Sequence, residues 1–295
     1  MSFFVDKDTR LIVQGITGRE GAFHTEQMLV YGTNVVAGVT PGKGGKEIHG
    51  VPVFNTVLEA KEYGQANATV LFVPPKFMYG AAYEAILSGI PLIITIAEGV
   101  PVHDMLKLHH LAKEKGCRLI GPNSFGIISP GKAKAGFMAH RIFMEGHVGI
   151  MSRSATNCYE TVFLMKQRGI GQSTCIGVGG DMIPGSPFVD MLPFFEADEE
   201  TEIIVLIGEI GGGEEELAAD FIKKYITKPV VALIAGKNAP KDTSMGHAGA
   251  IVSPDGEGSA ENKEAALKAA GVYIAEGTED LVAIVERIML AKGEK

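Results

Sequence analysis

The sequence has little of several features that mark whole classes of protein. Tryptophan is absent, aromatic residues make up only 7% of the chain, and the three cysteines form no CxxC pair. A disulfide framework and a zinc site are therefore not expected, and a reducing cytoplasm is the predicted location. No apolar run approaches the ~20 residues that span a bilayer, and the first residues lack the pattern of a secretory signal.

Charge and histidine placement exclude further classes. Acidic residues outnumber basic ones by 35 to 27, which gives a formal net charge of −8 and argues against a general nucleic-acid-binding protein. The eight histidines are scattered along the chain or directly adjacent, and no group of them has the spacing of metal ligands. We therefore predict no metal site in this chain, and expect any metal to arrive with a bound nucleotide or a partner.

Short apolar runs alternate with longer amphipathic ones along the chain. This alternation predicts βαβ units and parallel sheets covered on both faces. The predicted strands are residues 11–14, 34–39, 68–73, 92–96, 118–120, 148–152, 173–178, 203–207, 230–234 and 272–274. The predicted helices are residues 22–31, 57–63, 77–88, 102–115, 159–168, 188–196, 214–225, 261–270 and 279–291.

A stretch with little periodicity interrupts the alternation. Residues 123–146 contain glycine, proline and lysine without a clear hydrophobic repeat, which is typical of an irregular connection. We therefore predict a first domain at residues 1–125, an inter-domain connection at residues 126–146 and a second domain at residues 147–295.

A glycine-rich loop follows the first predicted strand. Gly15, Gly18 and Gly21 allow a sharp turn and a close approach of backbone to ligand, and the next helix offers free N–H groups to a phosphate. The spacing is GxxGxxG, whereas the dinucleotide fingerprint is GxGxxG. The loop therefore indicates a nucleotide-binding site, but it does not have the spacing of the dinucleotide fingerprint.

The loop after the second predicted strand bears on which nucleotide binds. An NAD site places an acidic residue there to bind the ribose hydroxyls, but this chain has Lys43 and Lys46 among glycines. Two lysines suit an additional ribose phosphate, which CoA carries at its 3′ position and NADP at its 2′ position. The alternative is a solvated loop whose lysines serve solubility.

A histidine among small residues is the strongest chemical signal in the second half. His247 lies between Gly246 and Ala248, which leave its imidazole accessible to attack phosphorus as a neutral nucleophile. Glu209, at the end of a predicted strand, can accept a hydrogen bond from one ring nitrogen and so fix the tautomer. The alternatives are a histidine bonded within its own loop and a solvated glutamate.

A predicted helix start supplies a further anion site. Ser154 and Thr156 follow the strand at residues 148–152 and precede a helix, so their hydroxyls and the helix N-terminus can hold phosphate or carboxylate. A plain helix cap is the alternative.

Six segments, in this order, resemble the α subunit of succinate–CoA ligase, also called succinyl-CoA synthetase, and the resemblance covers essentially the whole chain. They are Gln-Gly-Ile-Thr-Gly at 14–18, Gly-Val-Thr-Pro-Gly-Lys-Gly-Gly at 38–45, Gly-Pro-Asn at 121–123, Gly-Val-Gly-Gly-Asp at 177–181, Gly-Glu-Ile-Gly-Gly at 208–212 and Gly-His-Ala-Gly-Ala at 246–250.

The resemblance implies an α/β fold with a Rossmann-like CoA-binding domain followed by a flavodoxin-like domain. It also implies roles for individual residues. His247 is phosphorylated and Glu209 orients it, while Ser154, Ala155 and Tyr159 lie at the phosphate and the carboxylate substrate. CoA is expected to contact Thr17, Gly18, Arg19, Glu20, Lys43, Ile96, Ala97 and Glu98.

The resemblance further implies a reversible ligase with three steps. ATP or GTP phosphorylates the histidine, the phosphate passes to a carboxylate, and the CoA thiol displaces it to form the thioester. A β subunit with an ATP-grasp domain is expected to bind nucleotide and Mg²⁺, in an αβ heterodimer or an α2β2 assembly. No Walker-type phosphate loop occurs in this chain, which agrees with that division.

The chain departs from the family pattern at residues that are expected to surround the carboxylic acid substrate. Succinate-specific members typically have Ser-Gly-Thr-Leu-Thr-Tyr-Glu, where this chain has Ala155 and Asn157, and Gly-Pro-Asn-Cys-Pro-Gly, where it has Ser124 and Phe125. Succinate is the first prediction, and malate or citrate is the alternative, with Asn157 as a partner for a hydroxylated acid. An NADP-dependent oxidoreductase and a non-catalytic CoA-binding regulator are the more distant hypotheses.

Overall fold

A computed structural model describes residues 4–239, 246–253 and 256–293. Contacts divide the chain into two compact units, which are described separately. One unit comprises Met1–His140 with Ile183–Ser186, and the other comprises Arg141–Met182 with Pro187–Lys295. The division near residue 140 falls inside the predicted connection, and the domain limits 1–125 and 147–295 stay a prediction. Among the described residues, no helix has the length and apolarity needed to cross a membrane.

The first unit alternates strands with helices. Its strands are β1 (Leu11–Gln14), β2 (Val35–Val39), β3 (Glu47–Ile48), β4 (Val51–Phe54), β5 (Ala68–Leu71), β6 (Leu92–Thr95), β7 (Arg118–Ile120), β8 (Gly126–Ser129) and β9 (Ala133–Gly136). Its helices are α1 (Arg19–Tyr31), α2 (Val57–Gly64), α3 (Pro75–Leu87) and α4 (Val102–Lys115). The main strands β1, β5 and β6 are buried along their whole length, as expected when helices cover both faces of a parallel sheet.

The strand order of the first unit is that of a Rossmann-like sheet. The strands lie in the order β3-β4-β2-β1-β5-β6-β7, and β1 pairs in parallel with both β2 and β5. The direction of the order reverses between β1 and β5, which leaves a crevice outside the carboxyl ends of these strands. The Rossmann-like prediction is therefore confirmed, and it places the glycine loop after β1 at the usual ligand position.

The second unit contains the remaining elements. Its strands are β10 (Glu145–Ser152), β11 (Gln172–Gly177), β12 (Ile203–Glu209), β13 (Val230–Ala235) and β14 (Tyr273–Ala275). Its helices are α5 (Ala155–Gln167), α6 (Phe188–Ala197), α7 (Glu214–Tyr225), α8 (Ala260–Ala269) and α9 (Thr278–Lys292). Serine caps begin two of these helices, since Ser154 and Ser259 accept N–H groups from the first turns of α5 and α8.

The strands of the second unit have the order of a flavodoxin-like sheet. Within this unit they lie in the order β14-β13-β12-β10-β11, and all four pairings are parallel. Counted along the chain, this is the 2-1-3-4-5 order, with its switch point between β10 and β12. The flavodoxin-like prediction is confirmed, and the loops after β10 and β12 meet at the crevice.

The expectation of irregular structure at residues 126–146 is wrong. Strands β8 and β9 form an antiparallel pair there, with Gly126 opposite Gly136. Strand β9 is Ala-Lys-Ala-Gly and the apolar run of β8 is only Ile127 and Ile128, so the pattern did not indicate strands. The short strands β3 and β4 at one end of the first unit's sheet were also missed, because β3 has only two residues and carries Glu47 and β4 contains a proline, Pro52.

Candidate active site

The loop after β1 makes a tight turn at the switch point of the first unit. Gly15 has φ +77, and a Cβ atom there would lie 2.3 Å from the Phe72 carbonyl oxygen. A Cβ atom on Gly21 would lie 2.2 Å from the Gly15 carbonyl oxygen. Both positions therefore require glycine, and the close packing brings the start of α1 directly against the turn.

The predicted residues 17–20 occupy this turn and the first positions of α1. Gly18 is the N-cap residue of the helix, and the Thr17 hydroxyl lies 3.2 Å from that of Thr40, at the end of β2. Arg19 and Glu20 are exposed and lie 3.8 Å apart. The helix N-terminus presents N–H groups and a positive dipole end, which suit a phosphate.

The lysine loop after β2 is ordered by one asparagine. Asn55 accepts hydrogen bonds from the N–H groups of Gly42 and Gly44 at 2.9 and 3.0 Å. Lys43 lies between them, and its side chain is exposed. Asn55 was not predicted, because its role depends on a contact between residues more than ten positions apart. The arrangement holds a lysine in solvent near the carboxyl end of β2.

Residues 96–98 lie at the same edge of the sheet, after β6. The Ala97 carbonyl oxygen accepts the Asn123 N–H at 2.8 Å, and Asn123 follows the cis peptide bond between Gly121 and Pro122. Ile96 is partly buried, and Glu98 is exposed. The CoA residues expected from the resemblance thus lie on three loops that leave the carboxyl ends of β1, β2 and β6.

His247 and Glu209 are in direct contact in the second unit. His247 Nδ1 lies 2.5 Å from Glu209 Oε2. Glu209 is the last residue of β12, and its side chain is buried, whereas the His247 side chain is 28% exposed. If Nδ1 carries the proton and donates it to the carboxylate, Nε2 has the free lone pair that a nucleophile needs.

The other oxygen of the same carboxylate is held by an arginine that was not among the predicted site residues. Arg153 Nε donates to Glu209 Oε1 at 2.8 Å, and both side chains are buried. The Arg153 Nη2 atom also donates to the Asp181 carbonyl oxygen at 3.3 Å. Arg153 directly follows β10, so the switch point itself brings the arginine to Glu209. An arginine directly after a strand that ends at the ligand edge was the available signal.

The imidazole of His247 packs flat against a glycine. A Cβ atom on Gly180 would lie 2.5 Å from both Cγ and Nδ1 of the ring and 2.6 Å from Cδ2. Gly180 belongs to the glycine-rich exit of β11, and it provides the space that the ring fills. The histidine loop also approaches Gly211, where a Cβ atom would lie 1.9 Å from the Gly249 carbonyl oxygen.

The remaining predicted residues are on helix α5. Ser154 caps this helix, and its hydroxyl accepts the Asn157 N–H at 3.3 Å, while Ala155 is the first helical residue. Tyr159 packs edge-on against Phe143 with a ring-centroid distance of 6.3 Å, and its hydroxyl is buried.

An additional carboxylate near Arg153 begins α7. Burial raises the pKa of the Glu214 carboxyl, and the nearby Arg153 charge opposes that rise. The site therefore combines one buried arginine with several acidic groups at strand and helix ends. Within this group, Arg153 is the residue that binds the Glu209 carboxylate, while the neighbouring acidic groups do not stabilise its charge.

Two family models match the chain. The model described as CoA binding domain matches residues 6–99, and the one described as CoA-ligase matches residues 151–273. Together with the two sheets, these matches define a CoA ligase.

Full-length relatives are more specific. The chain is 51% identical over 289 residues to the succinate–CoA ligase [ADP-forming] subunit alpha 2 of Archaeoglobus fulgidus, covering 98% of this chain and 100% of the relative. It is 49% identical over 291 residues to the corresponding alpha subunit of Aquifex aeolicus, covering 98% and 95%. The chain therefore belongs to the family of succinate–CoA ligase alpha subunits.

A solved structure extends the comparison beyond this family. The ATP citrate lyase from Methanothrix soehngenii, in complex with citrate and coenzyme A, superposes with a TM-score of 0.87 at 26% sequence identity. The match covers 98% of this chain and 51% of that one, so this chain spans about half of the longer protein.

Proposed function

We propose that this chain is the α subunit of a nucleotide-dependent ligase that joins succinate to CoA through a phosphohistidine at His247. The contact between His247 Nδ1 and the buried Glu209 carboxylate carries the proposal, because it directs Nε2 outward as the nucleophile. Arg153 supports it by occupying the other carboxylate oxygen, so Glu209 cannot rotate away.

In the first step, Nε2 attacks the terminal phosphorus of ATP or GTP. The N–P bond forms as the bond to the bridging oxygen breaks, and the nucleoside diphosphate leaves. The ring is then cationic unless Nδ1 releases its proton, and the adjacent carboxylate stabilises that charge. The N-terminus of α5 supplies dipole stabilisation for the phosphoryl oxygens.

The next two steps move the phosphoryl group and then replace it. A succinate oxygen attacks phosphorus, the N–P bond breaks, and an acyl phosphate forms while the histidine is regenerated. The CoA sulfur then attacks the acyl carbon, inorganic phosphate leaves, and the thioester forms. Residues 17–20, Lys43 and residues 96–98 bind CoA in this proposal, and Ser154, Ala155 and Tyr159 lie at the phosphate and the acid.

A partner subunit that binds the nucleotide is part of the proposal. The relatives are named as alpha subunits, and we infer a β subunit with an ATP-grasp domain that binds the nucleotide and supplies Mg²⁺. The working form is an αβ heterodimer or an α2β2 assembly. A reducing cytoplasm is the proposed location, because the three cysteines show no disulfide framework in the sequence.

A hydroxylated acid, malate or citrate, is the second candidate substrate. Asn157 lies in the first turn of α5, where an amide can bind a substrate hydroxyl that succinate lacks. The structure similar to this chain at 26% identity was solved with citrate. This candidate keeps the same three steps and the same histidine.

The test uses the chain with its native partner. The complex is mixed with Mg²⁺ and γ-labelled ATP, then GTP, and the acid-labile label is mapped. CoA is then added with succinate, malate or citrate in turn. Label on His247 that succinate and CoA discharge supports the proposal, and discharge by malate or citrate alone selects the second candidate. No label with either nucleotide, in a complex that binds CoA, overturns the phosphohistidine and leaves a CoA-binding regulator.

A further inference from the structure

A buried ion pair lies behind Glu209. Lys263 on α8 and Glu215 on α7 have side chains that are 0% and 1% exposed, and Lys263 Nζ contacts Glu215 Oε2 directly. Lys263 Nζ also lies 3.4 Å from Glu216 Oε2. Removing two charges from water is costly unless the geometry and hydrogen bonds compensate. The pair therefore calls for a role beyond packing two helices together.

The second carboxylate oxygen of Glu215 contacts β12, the strand that ends at Glu209. Glu215 Oε1 accepts the backbone N–H of Glu209 at 3.0 Å. The next residue, Ile210, donates its N–H to the Ala235 carbonyl oxygen on β13. Because successive N–H groups of a strand point to opposite sides, the Glu209 N–H points away from β13.

On that opposite side, strand pairing has already ended. The last register pair between β10 and β12 is Ser152 with Ile207, and Arg153 N–H donates to the Ile207 carbonyl oxygen. No strand carbonyl in the described pairing reaches the Glu209 N–H, so the Glu215 carboxylate takes the place of the missing strand. It holds the backbone at the residue that contacts His247.

The strand has room for this carboxylate only because residue 208 is glycine. A Cβ atom on Gly208 would lie 2.5 Å from Glu215 Oε1 and 2.7 Å from Glu215 Cγ. Glu215 is thus inserted against the end of β12, and Lys263 holds its other oxygen. The order of contacts is Lys263, Glu215, the Glu209 backbone, the Glu209 carboxylate and the His247 imidazole.

We propose that Glu215 is a positioning residue for the phosphorylation of His247, acting through the backbone N–H of Glu209. This inference rests on the proposed function, because it adds a residue that positions the same histidine through Glu209. Glu215 fixes the end of β12 through its acceptor oxygen, and Lys263 compensates the buried charge of the Glu215 carboxylate. Partners that orient metal ligands in this indirect way typically change activity by about 10- to 100-fold when they are lost, and we expect a loss near the lower end of that range here.

Two paired variants separate the acceptor from the charges. Glu215→Gln with Lys263→Met removes both charges and keeps the acceptor oxygen. Glu215→Leu with Lys263→Met removes the charges and the acceptor together, with side chains of similar volume. Replacing a whole buried ion pair by apolar residues is often neutral for stability. The leucine variant also leaves the buried Glu209 N–H without its acceptor, so it is expected to unfold at a lower temperature than the glutamine variant.

The measurement is the single-turnover rate of His247 labelling in the complex with the partner subunit. The Leu/Met variant is expected to lose about tenfold or more, while the Gln/Met variant stays within about threefold of wild type. The KM for CoA is expected to be unchanged in both. Glu216→Gln is the matched control, because Glu216 contacts Lys263 whereas the Glu209 N–H is bound by Glu215, and it should label at the wild-type rate.

Other outcomes overturn the inference. Equal rates for Leu/Met and wild type, or equal losses in both double variants, exclude the acceptor role. If Leu/Met does not fold, Gly208→Ala replaces it, since the new Cβ displaces the Glu215 carboxylate without removing a charge, and an unchanged rate there also overturns the inference. Absence of label in the wild-type complex is a different result, because it overturns the phosphohistidine itself.

Discussion

The carboxylate of Glu209 is shared between His247 and Arg153, with one oxygen directed to each. His247 Nδ1 lies 2.5 Å from Oε2, and Arg153 Nε lies 2.8 Å from Oε1. An arginine is only a donor, so it always requires the acceptor that it has. The imidazole, in contrast, can donate or accept at Nδ1. A substitution of Glu209 is therefore expected to change the tautomer of His247, while the remaining acceptor oxygen keeps its hydrogen bond from Arg153.

Glu209→Gln tests this asymmetry. Glutamine has one acceptor oxygen, which Arg153 requires, so the amide NH₂ group turns towards His247 Nδ1. Nδ1 must then accept, the ring proton moves to Nε2, and the nucleophilic lone pair is lost. We expect His247 phosphorylation to fall by about 10- to 100-fold. Rapid-quench labelling of the complex measures the rate, with CoA affinity and unfolding temperature as controls. A wild-type rate would contradict the assignment of Nδ1 as the donor.

Gly180→Ala tests the space that the imidazole fills. The new methyl group would lie 2.5 Å from the ring, so the ring must move away from its hydrogen bond with Glu209. We expect labelling of His247 to fall by about tenfold or more, because a small displacement of a reacting group is costly. Rapid-quench labelling measures the fall, and circular dichroism checks the fold.

A glycine without neighbours provides the control for this substitution. A Cβ atom on Gly80, on the exposed side of α3, would have no atom within 4 Å apart from its chain neighbours and the backbone of its own helix. Gly80→Ala is expected to leave labelling unchanged, and to raise stability by up to about 1 kcal/mol because alanine favours a helix. Equal labelling rates for Gly180→Ala and wild type would show that the ring does not depend on this contact.

Much of the fold was predictable from hydrophobic pattern. The apolar strands of both sheets appeared as continuous runs, and helix α4 was predicted with the bounds observed, Val102–Lys115. The hairpin of β8 and β9 was not predictable in this way, because β9 contains a buried lysine, Lys134. That side chain is accommodated by the Met138 carbonyl oxygen and His140, and such partners cannot be read from local periodicity.

The residues of the candidate site, like the elements of the fold, were only partly predictable from the sequence. His247 and Glu209 stood out because glycines and strand ends surround them. Arg153, Glu215 and Lys263 did not, since charged residues near strand ends and on helices are usually solvated. Their burial results from the switch point between β10 and β12 and from the packing of α7 against α8, both of which depend on tertiary structure.

Lys43→Ala tests the proposed recognition of the CoA ribose phosphate. If the Lys43 ammonium group binds that phosphate, its loss should raise the KM for CoA by about tenfold, as expected for a hydrogen bond between charged groups. The KM for dephospho-CoA should change little, because that analogue lacks the 3′-phosphate. Steady-state kinetics with both thiols measures the difference. Lys113→Ala, at an exposed position near the C-terminal end of α4, is the control and should leave both KM values unchanged. Equal losses for CoA and dephospho-CoA in Lys43→Ala would contradict the assignment.

Lys134→Met tests the cost of burying an amine in the first unit. Burial lowers the pKa of Lys134 from 10.5 to about 8, so the folded protein releases this proton at a lower pH than the unfolded chain does. Between pH 8 and 10.5 the unfolded chain holds more protons, and the stability of the wild type therefore rises with pH. Below pH 8 the full cost of the buried charge is present.

The methionine variant lacks this titration, so the difference between the two proteins isolates it. At pH 7 we expect Lys134→Met to be the more stable protein, because it has no buried charge. The variant also loses the hydrogen bond to the Met138 carbonyl oxygen, which makes its gain in stability smaller. As the pH rises from 8 to 10, the wild type should gain on the variant, with an upper limit of about 3 kcal/mol. Urea unfolding at a series of pH values measures the difference. A difference that stays constant with pH would mean that Lys134 keeps its proton equally well in both states, and that its buried position carries no electrostatic cost.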